Sequence, residues 1–422
     1  MARFIYTLAV FALLPWAILH LLWRAGKQPE YLRHWGERFG YFDAANVQDP
    51  SSPTIWLHAV SVGETRAAQP LVAALRERYP GHRILFTHMT PTGRATSEAL
   101  FGDGVERIYL PYDTPWAMRR FLRHYKPRFG LIMETELWPN LIAACRHENV
   151  PLRLVNARLS QRSARRYAMF PALTREALHG LAAIGAQSAD DATRLEALGA
   201  QNITVTGNIK FDITVPDEQI ALGRKFRIGY GGRLVWLAAS TREGEEALIL
   251  DAWEKLGDGD TALLVIVPRH PQRFNEVARL ATDRGFVVQR RSDDAAVASS
   301  TQVVIGDSMG EMFAYYASAD IAFIGGSLLD FGSQNLIEAA ACGTPVLIGP
   351  STRNFAEVAR EAVACDAALS IGNADDLVVQ LNALLGNADR RRQMGEAGRV
   401  FAEHHRGATA RTLELIGHLE YR

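Results

Sequence analysis

The chain has 422 residues, of which 48% are hydrophobic, and 46 basic side chains balance 46 acidic ones. So long and apolar a chain is folded rather than disordered, exceeds one ordinary core and fits two domains. Zero formal charge excludes a global attraction to nucleic acid. Three dispersed cysteines, Cys145, Cys342 and Cys365, give neither a disulfide framework nor a zinc motif.

Residues 1–24 differ from everything after them. Phe4 to Trp23 carries no charged side chain, and twenty helical residues rise about 30 Å, roughly one hydrocarbon thickness. A signal peptide would need a small-residue cleavage site, which this run lacks; a buried first helix is the other competing reading. The segment is therefore read as a single membrane anchor. Arg24, Lys27, Arg33 and Arg38 follow it against Arg3 before it, so the positive-inside bias keeps the large part cytosolic.

Beyond residue 25, short apolar runs alternate with helical patterns. Strands are expected at Thr54 to Ala59, Arg83 to His88, Phe129 to Met133, Leu152 to Asn156, Ala182 to Ala186 and Ile203 to Thr206. A second series runs through Leu234 to Ala239, Ala262 to Pro268, Phe286 to Gln289, Gln302 to Ile305, Ile321 to Ile324 and Pro345 to Ile348. This βαβα order predicts an α/β chain of two facing, doubly wound domains with parallel sheets. Residues 25–211 form the first domain and 233–422 the second, with the last helix a candidate to pack back on the first. Residues 212–232, rich in glycine, are read as the linker.

Ligands of such sheets bind beyond the carboxyl ends of the strands. After the first strand stands "SVGE", Ser61 to Glu64. Ser-x-x-Glu before an apolar helical run is a capping-box signature, so Glu64 is either a helix cap or a base. The spacing recurs at Ser240 to Glu243 and Ser308 to Glu311. "METELWPN" places Glu134 and Glu136 where a buried strand opens into a loop, costly unless hydrogen-bonded or functional. Lys210 in "GNIKFD" could neutralise a departing phosphate or simply be solvated.

In the second half, proline on each side of Arg269 and His270 is expected to aim Arg269 into the cleft as a fork for phosphate or a base carbonyl. Gly325, Gly326, Ser327, Gly332 and Ser333, ahead of a helix expected near Asn335, suit an anion. Glu338 in its first turn is either a ribose acceptor or a helix-dipole partner. Asp258-Gly259-Asp260 precedes a strand and is read as a turn. Dinucleotide, P-loop, zincin and α/β-hydrolase motifs are absent.

Taken together, "SVGE", "MTPTG", "LPYDTP", "METELWPN", "NARLS", "TGNIKFD", "PRHPQRF", "GDSMGEM", "FIGGSL" and "GTPVLIGP" resemble the 3-deoxy-D-manno-octulosonic acid (Kdo) transferases of lipopolysaccharide synthesis. The resemblance implies a GT-B glycosyltransferase fold of two Rossmann-like domains on the cytoplasmic side of the inner membrane. It also implies transfer of Kdo from CMP-Kdo to a lipid A precursor (lipid IVA), without bound metal or other cofactor. Carried onto this chain, it implies Glu64 as general base, Glu134 and Lys210 as transition-state stabilisers, and CMP contacts from Pro268, Arg269, Met309, Gly310, Glu311, Asn335, Leu336, Ile337 and Glu338. The chain departs from the family pattern G-G-x-N-P-L-E at Ser333 and Ile337 is preceded by Leu336 rather than proline; H-T-x-N-F becomes Ser351 to Phe355.

Two other readings share these features: a GT-B enzyme or epimerase using a UDP-sugar, and a membrane-tethered sugar-nucleotide sensor without turnover. Protection by UDP rather than CMP would mark the first, and CMP binding without a Kdo-lipid product the second. Partners expected from sequence are CMP-Kdo, the lipid acceptor and membrane lipids, with "RSARR" at Arg162 to Arg166 either meeting lipid phosphates or solvated. There is no signal for oligomeric state.

Overall fold

A computed structural model describes residues 1–26, 28–42, 52–256 and 262–417. Lys27 of the basic run and the Asp258-Gly259-Asp260 triplet lie outside the described residues. The chain divides into two units: Met1–Asp212 together with the C-terminal stretch from Arg406, and Ile213–His405.

The first unit holds seven strands: β1 (Thr54–His58), β2 (Arg83–His88), β3 (Glu106–Tyr109), β4 (Pro127–Met133), β5 (Leu152–Ala157), β6 (Ala183–Ala186) and β7 (Ile203–Val205). They form one parallel sheet in the order β3-β2-β1-β4-β5-β6-β7. Every residue of β1 and β5 is buried, as strands covered on both faces require. Trp56 fills the sheet centre and donates Nε1–H to Thr87 Oγ1 at 2.8 Å. Gly130 makes room for it: a Cβ there would lie 2.4 Å from the Trp56 ring.

In the second unit lie β8 (Leu234–Thr241), β9 (Ala262–Pro268), β10 (Val288–Arg290), β11 (Val303–Ile305), β12 (Ile321–Ile324), β13 (Val346–Ile348) and β14 (Ala368–Ser370). This sheet is also parallel, ordered β10-β11-β9-β8-β12-β13-β14. Two strands, β3 and β14, have no counterpart in the sequence reading. Each is a short edge strand, where the apolar signal is weakest.

Residues 212–232 contain the helix Asp217–Gly229, which packs on Met312–Ser318 of the second unit. Gly223 is there for close approach, since a Cβ would lie 2.8 Å from that of Ala317. The units therefore divide between Asp212 and Ile213.

The last helix, Ala408–Gly417, packs on Gln69–Arg78 of the first unit. Buried Arg153 of β5 donates to Ile416 O at 3.2 Å, and the Asp212 carboxylate accepts the N–H groups of Gly407 and Thr409. A carboxylate at a helix start satisfies orphan donors and favours the dipole. Asp212 of "GNIKFD" is thus what fastens the returning chain.

Candidate active site

In the first unit the polar loops follow β1, β4 and β7. At the first of these, Ser61 caps the helix Val62–Ala67, its Oγ accepting Glu64 N–H at 3.3 Å. Glu64 Oε1 accepts from Ser61 Oγ and Oε2 from Val60 N–H, both at 2.8 Å. The cap exists, and it aims the carboxylate.

That carboxylate is 8% exposed, and burial, followed by the nearby charge of Glu134, pushes its pKa up to about 7 against the hydrogen bonds from Val60 and Ser61. A helix N-terminus alone would have lowered it. Here desolvation wins, because the ionised form loses more in water than the cap returns.

Glu134 has φ 60°, a left-handed conformation that turns the chain sharply out of β4; its N–H donates to Val155 O at 3.1 Å. Lys210 lies in the 3-10 turn Ile209–Asp212, and its Nζ sits 3.1 Å from Glu134 Oε1. Glu136 is engaged by Trp138 Nε1–H at 2.9 Å, and burial raises its pKa. The structure therefore brings Glu64, Glu134 and Lys210 to one edge of one sheet.

Asn156, the first residue of "NARLS", is a functional position that sequence reasoning missed. It sits in β5 at φ 52°, fully buried, with Oδ1 accepting Ile209 N–H at 3.1 Å. It thereby fixes the turn carrying Lys210. Strand residues of this kind give no separate signal in sequence. Buried His58, at the end of β1, is pushed down to about 4 by burial and bonds Thr87 Oγ1 at 2.8 Å, so it is a neutral strut.

In the second unit the glycine loop expected to suit an anion is braced from within the protein. Glu245 is fully buried; its Oε2 accepts Gly326 N–H at 2.6 Å and Arg242 N–H at 2.9 Å, and its Oε1 accepts Leu328 N–H at 3.0 Å. Gly325 N–H goes to Ala239 O, Gly332 N–H to Ser351 Oγ and Ser333 N–H to Gly326 O. The N–H groups of Gly325, Gly326, Gly332 and Ser333 are thus engaged within the protein and brace the loop.

The other capping boxes differ too. β8 continues through Ser240, and the carboxylate reaching back is Glu245 rather than exposed Glu243. Glu311 is itself the N-cap of Met312–Ser318, with its carboxylate accepting from Ser308 Oγ at 2.5 Å and lying 3.3 Å from Arg291 Nε.

Pro268 ends β9 and Arg269 follows it, its Nε donating to Gln334 Oε1 at 3.2 Å. This joins Arg269 to the loop before Asn335, whose Oδ1 accepts Ile337 N–H at 3.0 Å and whose Nδ2 donates to Glu338 Oε1 at 3.1 Å. The helix begins at Ile337, two residues later than expected. Leu336 and Ile337 are buried in the core, so only their backbone can face a ligand. Met309 is exposed, and Gly310 has φ 82° in the loop after β11.

A family model described as 3-deoxy-D-manno-octulosonic-acid transferase (kdotransferase) matches residues 33–213, and one described as glycosyl transferases group 1 matches residues 248–401. A 3-deoxy-D-manno-octulosonic acid transferase of Bordetella pertussis is 45% identical over 432 residues, 99% of either chain. The chain belongs to the Kdo transferase family. A second such transferase, from Haemophilus influenzae, is 39% identical over 99% of this chain and 98% of its own.

Among solved structures, the UDP-GlcNAc 2-epimerase of Neisseria meningitidis bound to UDP-GlcNAc aligns at TM-score 0.60 and 16% identity, covering 86% of this chain and 99% of that one. A glycosyltransferase from Rickettsia africae aligns at 0.59 and 14%, covering 86% and 98%. These likenesses show the fold alone: the Kdo transferase has two parallel-sheet units of GT-B type. It is a glycosyltransferase of lipopolysaccharide biosynthesis with one N-terminal helix, Ala2–Ala25, long and apolar enough to cross a membrane.

Proposed function

We propose that this Kdo transferase moves Kdo from CMP-Kdo to a hydroxyl of the lipid A precursor lipid IVA, with inversion and without a bound metal or other cofactor, at the cytoplasmic side of the inner membrane. The observation carrying this reading is the buried Glu64 carboxylate with its pKa near 7 at the carboxyl edge of β1. A base poised near working pH combines the correct protonation state with driving force for proton transfer.

In the proposed step the acceptor oxygen bonds to the anomeric carbon while Glu64 takes its proton. The bond from that carbon to the CMP phosphate oxygen breaks from the opposite face, carrying its electron pair to CMP and inverting the centre. The Glu134 and Lys210 pair stabilises the charge that develops near the acceptor. In the second unit Arg269, Pro268, Glu311 with Met309 and Gly310, and the stretch Asn335 to Glu338 hold the CMP moiety, Leu336 and Ile337 through backbone only.

The test is incubation with CMP-Kdo and lipid IVA, with and without EDTA, followed by mass measurement of the lipid. One or more added Kdo masses, undiminished by chelator, are expected. Protection against heat by UDP rather than CMP, with no Kdo-lipid formed, would overturn the donor assignment.

A further inference from the structure

The helix Ala2–Ala25 satisfies the length and apolarity of a span, yet both of its ends are fastened to the same folded unit. At its start, Tyr6 OH donates to Asp113 Oδ2 and Thr7 Oγ1 to Asn140 Oδ1, each at 2.9 Å, and Arg3 lies 3.5 Å from Glu176. These partners belong to the body of the unit: the Asp113 carboxylate itself accepts the N–H groups of Asn140 and Leu141. At the other end Leu21 and Ala25 pack on Tyr31, and Arg24 stacks over the Tyr31 ring at 4.5 Å. A span would carry Arg3, Tyr6 and Thr7 about 30 Å away, to the far side of the bilayer.

The sides of the helix agree with this. Phe4, Ile5, Leu8, Phe11, Leu13, Trp16, Leu19, Leu22 and Trp23 are all exposed, and at about 100° per residue they fall within an arc of about 200°. Arg3, Tyr6, Thr7, Leu21 and Ala25 lie on the opposite arc, turned toward the protein. So long an uncovered apolar face requires a partner.

We infer that the helix Ala2–Ala25 lies in the plane of the membrane surface, its outer face sunk among the acyl chains, and does not cross the bilayer. Charge and ring chemistry select a lipid surface over a second copy of the chain. Tryptophans 16 and 23 stand on the outer face, the residue type enriched at headgroup level. The N-terminal helix packs on the helix Pro171–Leu178, and just ahead of that helix, Gln161–Ala168 presents exposed Arg162, Arg165 and Arg166 before exposed Met169 and Phe170. Beside the first turn of the N-terminal helix opens a cavity of about 450 Å³ lined by Arg3, Arg119 and His147 with one carboxylate, Glu176. Basic side chains around an apolar face fit anionic headgroups.

This inference rests on the membrane attachment proposed above and specifies its geometry. The test places a cysteine by Ala2→Cys in the full chain, with the exposed native Cys365 reporting the side on which the body lies. In sealed inverted and right-side-out membrane vesicles, a membrane-impermeant maleimide is expected to reach both cysteines from the same side. Labelling of residue 2 only from the side opposite Cys365 would overturn the in-plane assignment while leaving attachment intact. Recovery of the protein in the soluble fraction as a two-chain species would instead assign the face to a second copy.

As a second measurement, nitroxide labels at Leu8→Cys and Leu19→Cys, with Cys342 and Cys365 replaced by serine, are expected to report the same shallow depth. A span would separate them by about 16 Å along the bilayer normal.

Discussion

Lys210 Nζ lies 3.1 Å from Glu134 Oε1, and Glu134 is the nearby charge that helps raise the pKa of Glu64. Two acidic groups at one sheet edge thus stand in different surroundings: Glu134 is paired with a cation, while Glu64 is buried and able to accept a proton near neutral pH.

The rate of Kdo transfer should follow this. Because a base must be ionised, the rate is expected to climb with pH through about 7. Removing the Ser61 hydroxyl bond by Ser61→Ala moves the midpoint up, and removing the like charge by Glu134→Gln moves it down. A pH profile of single-turnover transfer for the three proteins checks both signs, and equal midpoints would contradict the coupling.

The same carboxylate links folding to pH. Its folded pKa is above the ordinary 4.5, so the native chain binds this proton more tightly than the unfolded one. Its contribution to stability is therefore lost as pH rises from about 4.5 through about 7. Glu64→Gln has no such dependence. By thermal denaturation it should melt above wild type at pH 8 and level with it at pH 5.

Glu245 is predicted to matter for stability as much as for binding. Glu245→Ala leaves one buried and two half-buried N–H groups without their acceptor, and at roughly 1–3 kcal/mol for the buried one and less where water can reach, a loss of about 2–3 kcal/mol is expected. Denaturant unfolding of the second unit's transition and CMP affinity should both report it. A change below about 1 kcal/mol would show that the loop stands without its brace.

Ser333 occupies φ 70°, where glycine is at ease and a side chain is not. Its Oγ recovers part of the strain by donating to Gln334 O at 2.9 Å. Ser333→Gly is expected to stabilise the protein by about 0.5–1 kcal/mol in chemical denaturation, with the loop unchanged. Destabilisation would mean that the hydroxyl bond outweighs the backbone strain.

Much of this architecture was legible in sequence because buried parallel strands announce themselves. β2, β9 and β12 coincide with the apolar runs at Arg83 to His88, Ala262 to Pro268 and Ile321 to Ile324. The loops after β1, β4 and β7 placed Glu64, Glu134 and Lys210 at one edge without any coordinates. What escaped was tertiary. The direction of the Glu64 shift depends on burial, and local capping argues the opposite sign. The glycine loop looked open because its acceptor, Glu245, comes from the start of the helix Glu245–Leu256, some 80 positions earlier. Glycine 223 suggested a flexible linker, whereas it serves a tight helix contact.

If Glu64 removes the acceptor proton, its amide variant must lose transfer while keeping the donor. Wild type and Glu64→Gln are saturated with CMP-Kdo, mixed with lipid IVA, and the Kdo-lipid product is weighed over time, with CMP affinity measured in parallel. A loss of about 10²–10⁴-fold in transfer rate at unchanged CMP affinity is expected for a missing general base. Transfer within a few-fold of wild type would return Glu64 to the role of a helix cap and contradict the account.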